Sequence, residues 1–257
     1  MKKEISNRDY VNSLARGLEV IRSFTRVRPK MTLSDIARAT GMTRATVRRF
    51  VLTLVREGYA ETDGKYFNLR PKVLELGFAA LSSLTFIDVA QPIMARLANK
   101  LEEAVFAAVL DGDDVVYVSS ATPPKRFVNI SVSVGGRAPA HAVSTGRVLL
   151  AALKDDALHE YLDQVTLEKL TPHTVTSKVK LRGFIEEARS KGWSVVDQEI
   201  EIGLRSISVP IHDKTGAVIA ALNVACPSSR IEPEDMHDRI LLELQAASRD
   251  ITASLQH

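Results

Sequence analysis

The sequence predicts an α+β protein in two parts, a winged helix-turn-helix at the N-terminus and a larger body built on an antiparallel sheet. Three observations carry that prediction. Residues 33–54, LSDIARATGMTRATVRRFVLTL, have the spacing of two short helices joined by a tight turn. Asp63-Gly64, between β-prone residues, marks a hairpin directly after them. Beyond residue 86, strands joined by short turns outnumber strand–helix–strand crossovers, which favours antiparallel pairing.

Composition narrows the class. The 257 residues are 45% apolar and 25% charged, the balance of an ordinary globular protein. The single cysteine, Cys226, excludes an intramolecular disulfide and a multi-cysteine metal site and fits a reducing cytoplasm. The opening MKKEISNRDY lacks the apolar stretch of a secretory signal. No apolar run approaches the ~18–20 residues of a spanning helix, so a cytoplasmic protein with no membrane partner is expected. The net charge of +3 conceals a strong asymmetry. Residues 1–73 hold 16 Lys/Arg against 7 Asp/Glu, and the remainder holds 18 against 24. A basic head on an acidic body is expected where the head meets a polyanion.

In the head, Leu14, Leu18, Ile21 and Phe24 form one stripe of a helix over residues 11–25. Thr32 and Asp35 have the spacing of a capping box for a second helix, and Gly41 falls where a left-handed residue ends it. Thr43 caps a third, whose Val47, Phe50, Val51 and Leu54 face inward. That leaves Ala45 and Arg49 outward, with Thr46 and Arg48 on the flanks and Arg44 at the N-terminal end, where a recognition helix meets DNA. Arg44, Ala45 and Arg48 are expected to face bases, with Thr43, Thr46 and Arg49 nearer the backbone. Lys65 at the hairpin tip is placed to reach a neighbouring phosphate. Double-stranded DNA is the expected partner.

Residues 71–85 read as one helix, with Pro71 in its first turn. It is apolar around most of its circumference, so burial on several sides and a role as mechanical link are expected. The body follows from residue 86, giving expected divisions at 1–70, 71–85 and 86–257. Its expected helices are 87–101, 144–153, 155–165, 178–191 and 232–256. Its expected strands are 104–110, 115–120, 127–134, 193–198, 206–211 and 217–225.

Chemistry is sparse in the body. Neither G-x-G-x-x-G after a strand nor G-x-x-x-x-G-K-[ST] is present, and His159, His173, His212 and His237 are scattered, so no cofactor or metal is expected. His141, Ser144 and Asp197 supply the residue types of a hydrolase triad, but no G-x-S-x-G frames Ser144. Two polar stretches stand out. Residues 137–147, RAPAHAVSTGR, read as a small-residue loop running into an apolar helix, whose free N–H groups suit a carboxylate. Residues 197–206, DQEIEIGLRS, precede a strand pair ending near Asn223. On spacing alone, routine caps and turns are the favoured account of both.

The head, from SLARGLEVIRSF through LSDIARATGMTRATVRRFVLTLVREGYAETDGKYFNL, resembles the winged helix of IclR-type bacterial transcriptional regulators. The likeness continues through RPKVLELGFAALSSL into VLDGDDVVYVSS, ISVSVGGRAPAHAVSTGRVLLA, VDQEIEIGLRSISVPI and GAVIAALNVA, and so spans nearly the whole chain. DYVNSLARGLEVI and VDQE…GLRSI are most similar to the branch that controls aromatic-acid catabolism through the β-ketoadipate pathway. The resemblance implies a GAF-like effector domain, an organic acid such as protocatechuate or 4-hydroxybenzoate, and a homodimer or tetramer on a palindromic operator. It also implies ligand contacts from Ser144, Thr145, Gly146, Asp197, Ser206, Asn223 and Ala225. Here Ser144-Thr145 stands where some members have Gly-Ala, and Asn223 and Ala225 stand where others have serines. Arg137 is added from the residues as a charge partner, with a surface ion pair as its competing role. The rival functional reading is a small-molecule hydrolase with a basic, DNA-localising head.

Overall fold

Short-range hydrogen bonds set the ends of the helices in the head. The computed structural model describes residues 9–25, 27–82, 84–123 and 133–255. Helix α1 spans Asn12–Ser23, α2 Leu33–Thr40 and α3 Arg44–Arg56. The Thr32–Asp35 capping box is closed in both directions: Asp35 N donates to Thr32 Oγ1 (3.3 Å) and Thr32 N to Asp35 Oδ2 (3.0 Å). Those bonds hold the Asp35 carboxyl below its usual range, the Thr32 hydroxyl contributing most. Gly41, at φ +67°, ends α2 in the left-handed region, and Thr43 Oγ1 caps α3 by accepting from Thr46 N.

Val20, Met31, Ile36, Val47, Val51 and Phe67 form the small core of the head. The expected hairpin is β2 (Ala60–Thr62) with β3 (Phe67–Leu69), and Asp63 Oδ1 accepts from Lys65 N and Tyr66 N at 2.9 and 2.7 Å to close its turn. An unexpected strand, β1 (Lys30–Met31), pairs with β3 and makes the wing sheet three-stranded in the order β1-β3-β2. Two residues are too few to show a period. The expected single helix over 71–85 is also corrected. Pro71–Leu74 forms a 3-10 turn and α4 covers Glu75–Ser82. Leu74, Leu76 and Phe78 are each more than half exposed in the single chain, so it does not itself supply the expected burial.

In the body, α5 (Phe86–Leu101) leads into six antiparallel strands. They are β4 (Ala104–Asp111), β5 (Asp114–Ala121), β6 (Arg137–Pro139), β7 (Ser194–Asp197), β8 (Leu204–His212) and β9 (Val218–Pro227). Their order is β6-β5-β4-β9-β8-β7. Period-two alternation divides each strand between two cores. Val105, Ala107, Leu222 and Val224 pack with α5 and the C-terminal helix, whereas Ala104, Phe106, Ala108 and Ala221 pack on the other face. That second face is covered by α6 (Ser144–Ala151), α7 (Asp155–Gln164) and α8 (Lys178–Lys191).

Two expectations for the body change, and a third falls largely outside the described residues. Residues 137–147 are not simply a loop: Arg137–Pro139 forms edge strand β6, and Ala140–Ala142 is a 3-10 turn into α6. The expected helix over 232–256 is a composite of α9 (Pro233–Asp235), a π-helical turn at Met236–Leu241 and α10 (Leu242–Ser254). Most of the expected 127–134 strand lies outside the described residues. The chain divides into two compact units, residues 1–83 and 84–257. No helix is long and apolar enough to cross a membrane among the described residues.

Candidate nucleic-acid interface and ligand cavity

Helix α3 turns its basic side to solvent. Val47 and Val51 are fully buried, which leaves Arg44, Ala45, Arg48 and Arg49 exposed and Thr46 half-buried. None of the three arginines forms an ion pair among the described residues, so their charge is available to a partner. Thr43 Oγ1 is engaged locally, in the cap and against Thr46 Oγ1 at 2.9 Å. Lys65 is exposed at the wing tip, its ammonium 5.2 Å from the centre of the Tyr66 ring.

The body holds a cavity of about 200 Å³ on the α6 side of the sheet. Its walls are mostly apolar, from Phe106 on β4, Tyr117 on β5, Val143 ahead of α6, and Ile200 and Leu204 at the β7–β8 turn, with Glu201 and Arg137 also on its border. Phe106 and Tyr117 meet edge to face at 5.7 Å and 70°. Burial pushes the Tyr117 phenol pKa up. Ser206 on β8 and Asn223 and Ala225 on β9 reach the same space because Ser206 pairs with Ala225 and Phe106 with Asn223.

The polar end of this cavity is a buried cluster centred on Ser144. Its hydroxyl lies 2.9 Å from Ser206 Oγ and 2.8 Å from Ser208 Oγ, and it accepts from Asn223 Nδ2 at 3.1 Å. Helix α6 begins here without a side-chain cap, and Ser144 and Thr145 are fully buried. Its first-turn N–H groups therefore form a partly positive end beside neutral donors. The Thr145 hydroxyl is buried without a hydrogen-bond partner among the described residues.

Arg137 borders the cavity but is already engaged: Nε donates to Asp114 Oδ2 (3.0 Å) and Nη1 to Asp111 Oδ2 (2.6 Å). Its competing role, the ion pair, is the one the structure shows. Four expected contacts do not line the cavity. Ser144 is fully buried and reaches it only through its bonds to Ser206 and Asn223. Asp197 is held by Arg205 through two bonds of 2.9 Å, its cross-strand partner on β8. Thr145 lies behind the wall. Gly146 serves close packing, because a Cβ there would stand 2.0 Å from the Ala140 carbonyl oxygen.

Sequence reasoning missed Arg147 and Glu199. Arg147 is 2% exposed in the middle of α6, and its Nη2 donates to both Glu199 oxygens at 2.7 and 2.8 Å. Desolvation pulls the Arg147 pKa down, and the Glu199 charge opposes that shift. The Phe184 ring lies 4.6 Å from the guanidinium. Glu199 Oε2 also accepts from Val175 N (3.1 Å), and the Glu199 carbonyl accepts from Thr174 Oγ1 (2.6 Å). These bonds fix the turn that supplies Ile200 and Glu201 to the cavity wall. The one available signal was an arginine set directly before the apolar run VLLA in STGRVLLA.

The hydrolase constellation does not assemble. Ser144 bonds Ser206, Ser208 and Asn223, His141 Nε2 lies 3.2 Å from the Glu168 carbonyl, and Asp197 pairs with Arg205. No group of three or more potential metal ligands occurs among the described residues.

Comparison with known proteins places this geometry in context. The IclR helix-turn-helix domain matches residues 13–64, and the C-terminal domain of bacterial IclR transcriptional regulators matches 78–253. The Pca regulon regulatory protein of Pseudomonas putida is 44% identical over 96% of this chain and 85% of its own length. The p-hydroxybenzoate hydroxylase transcriptional activator of Acinetobacter baylyi is 33% identical, over 97% and 93% respectively. A crystal structure of an IclR homologue from Microbacterium hydrocarbonoxydans, complexed with 4-hydroxybenzoate, aligns with a TM-score of 0.81 at 29% identity, covering 95% of this chain and 99% of that one. These relatives are regulators rather than enzymes, and the chain belongs to the IclR family of bacterial DNA-binding transcriptional regulators.

Proposed function

We propose that this regulator controls genes of aromatic-acid catabolism and senses a small aromatic carboxylate, protocatechuate or 4-hydroxybenzoate. The cavity beside Phe106 and Tyr117 carries this reading, since it joins apolar walls to a buried hydroxyl and amide end. About 200 Å³ falls below the range of drug-sized pockets and suits a single ring. In this reading Ser206, Asn223 and Ala225 touch the ligand, and Ser144 aligns Ser206 and Asn223. The positive N-terminal end of α6 lies behind that lining and favours a carboxylate at this side of the cavity. The names of the Pseudomonas and Acinetobacter relatives and the 4-hydroxybenzoate bound to the Microbacterium homologue support the ligand class.

The head, residues 1–70, reads a palindromic operator in a homodimer or tetramer. Residues 71–85 transmit the state of the GAF-like body, 86–257, by favouring one spacing of paired recognition helices over another. A thermal-shift panel on the full chain tests the ligand class. Protocatechuate or 4-hydroxybenzoate raises Tm, by the equivalent of about 2.7 kcal/mol at a hundredfold excess over Kd, while aliphatic acids of equal charge do not. No shift with any aromatic acid would remove the reading.

A further inference from the structure

We propose that α1 and α3 together form a phosphate-binding groove, so that the first helix of the head grips the DNA backbone beside the recognition helix. A groove of about 320 Å³ runs between them. Asn12, Ser13 and Arg16 of α1 line one side, and Thr46, Arg49 and Thr53 of α3 line the other. The helices meet closely here: a Cβ on Gly17 would stand 3.8 Å from the Phe50 ring, which also borders the groove.

The lining chemistry favours an anion. Two arginines, an asparagine and three hydroxyl residues line this space, with Thr46 Oγ1 bonded to Thr43 Oγ1 and Thr53 Oγ1 donating to the Arg49 carbonyl, and no acidic residue lines it among the described residues. Neither Arg16 nor Arg49 forms an ion pair or side-chain hydrogen bond among the described residues. The nearest acid in sequence on α1, Glu19, lines the adjoining groove, which Arg16 also borders and where Arg22 lies. Arg16 and Arg49 thus border the first groove from opposite helices with no acid lining it among the described residues, and a bound anion would offset their like charge.

Its position selects DNA phosphate over a free ion. Thr46, Arg49 and Thr53 stand at i, i+3 and i+7 on one flank of α3, whereas Arg44 and Arg48, four apart, occupy the other. A helix seated in a major groove has base edges beneath it and a phosphate strand along its side. With Arg44 and Arg48 at base edges, the Arg49 flank meets that strand and α1 closes over it. This assignment rests on reading α3 as the recognition helix.

Binding of mixed-sequence and promoter duplexes across a salt series tests the groove, using the full chain. Arg16→Ala lowers the slope of log K against log salt by about 0.9 and weakens both duplexes by the same factor. Arg22→Ala removes an equal charge from the same helix and leaves the slope unchanged, while Arg16→Lys restores it. A wild-type slope in Arg16→Ala, an equal loss in Arg22→Ala, or failure of the lysine to rescue would overturn the proposal. Inorganic phosphate at constant ionic strength is the second arm. Phosphate that displaces DNA from the wild type but not from Arg16→Ala would identify a free-ion site instead. Arg48→Ala separates the two readings: unaltered base preference would undo the assignment of α3 while leaving the slope result for Arg16 standing.

Discussion

Arg48 and Arg147 are the same residue put to opposite uses, and the contrast between them describes the two halves of the molecule. Arg48 lies exposed on α3 without an ion-pair partner among the described residues, in a head whose small core is built around Val20, Met31, Ile36, Val47, Val51 and Phe67. Arg147 lies buried in α6, held by Glu199, between a sheet face and two further helices. An exposed, unpaired charge contributes little to stability and remains free for a polyanion. A buried charge must be paired, and loss of its partner destabilises strongly. Substitutions in the head should therefore alter binding with little change in folding, whereas charge substitutions in the body should alter folding first.

The largest expected effect is at Arg147. Arg147→Ala leaves Glu199 buried and unpaired, and calorimetry should show a loss of about 3–5 kcal/mol in the unfolding of the body. Replacing both partners together, as Arg147→Met with Glu199→Leu, should recover most of that loss. Next is Gly146→Ala. A methyl 2.0 Å from the Ala140 oxygen forces α6 away from its 3-10 turn and should cost at least the ~1–3 kcal/mol of an overpacked core, read by denaturant titration. If either substitution left stability unchanged while abolishing ligand binding, the division of roles would fail.

Effects in the head are smaller and of another kind. Arg48→Ala should leave Tm unchanged and lose about 1–3 kcal/mol of discrimination at one base pair, measured by competition between operator variants. The smallest effect concerns Asp35. Its carboxyl titrates below the ordinary 3.8 because it accepts from Thr32 in the native state. A depressed native pKa contributes stability that is fully present above pH 3.8 and is lost as pH falls through the native value. Asp35→Asn should remove that part of the acid dependence of the head's unfolding, followed by circular dichroism.

The features legible in the sequence are those written in neighbouring residues. Thr32 with Asp35, Gly41, Thr43 and Asp63-Gly64 each act within a few positions, and the structure uses each for the cap or turn its chemistry suits. Period-two strands and helical stripes disclosed the α+β architecture for the same reason. Features made by distant pairing were not legible. Lys30–Met31 becomes a strand only through its pairing with Phe67 and Asn68. Arg147 and Glu199 are 52 positions apart, and no spacing rule connects them. The candidate cavity was partly legible. Resemblance marked Ser206, Asn223 and Ala225, which line it, but also Asp197, which the neighbouring Arg205 occupies. Two ion pairs at similar sequence positions thus differ in consequence: Asp197–Arg205 ties one strand edge, and Arg147–Glu199 fixes the wall of the cavity.

Occupancy of that cavity is expected to govern the head, and one measurement tests this link most directly. The dissociation constant for the promoter duplex should be determined at fixed salt, with and without the aromatic acid that raises Tm. The account predicts a difference of 5–150-fold, the usual range of a 1–3 kcal/mol coupling, and its loss when Asn223→Leu blocks ligand binding. Equal affinity with and without saturating acid, together with unchanged promoter output, would contradict it.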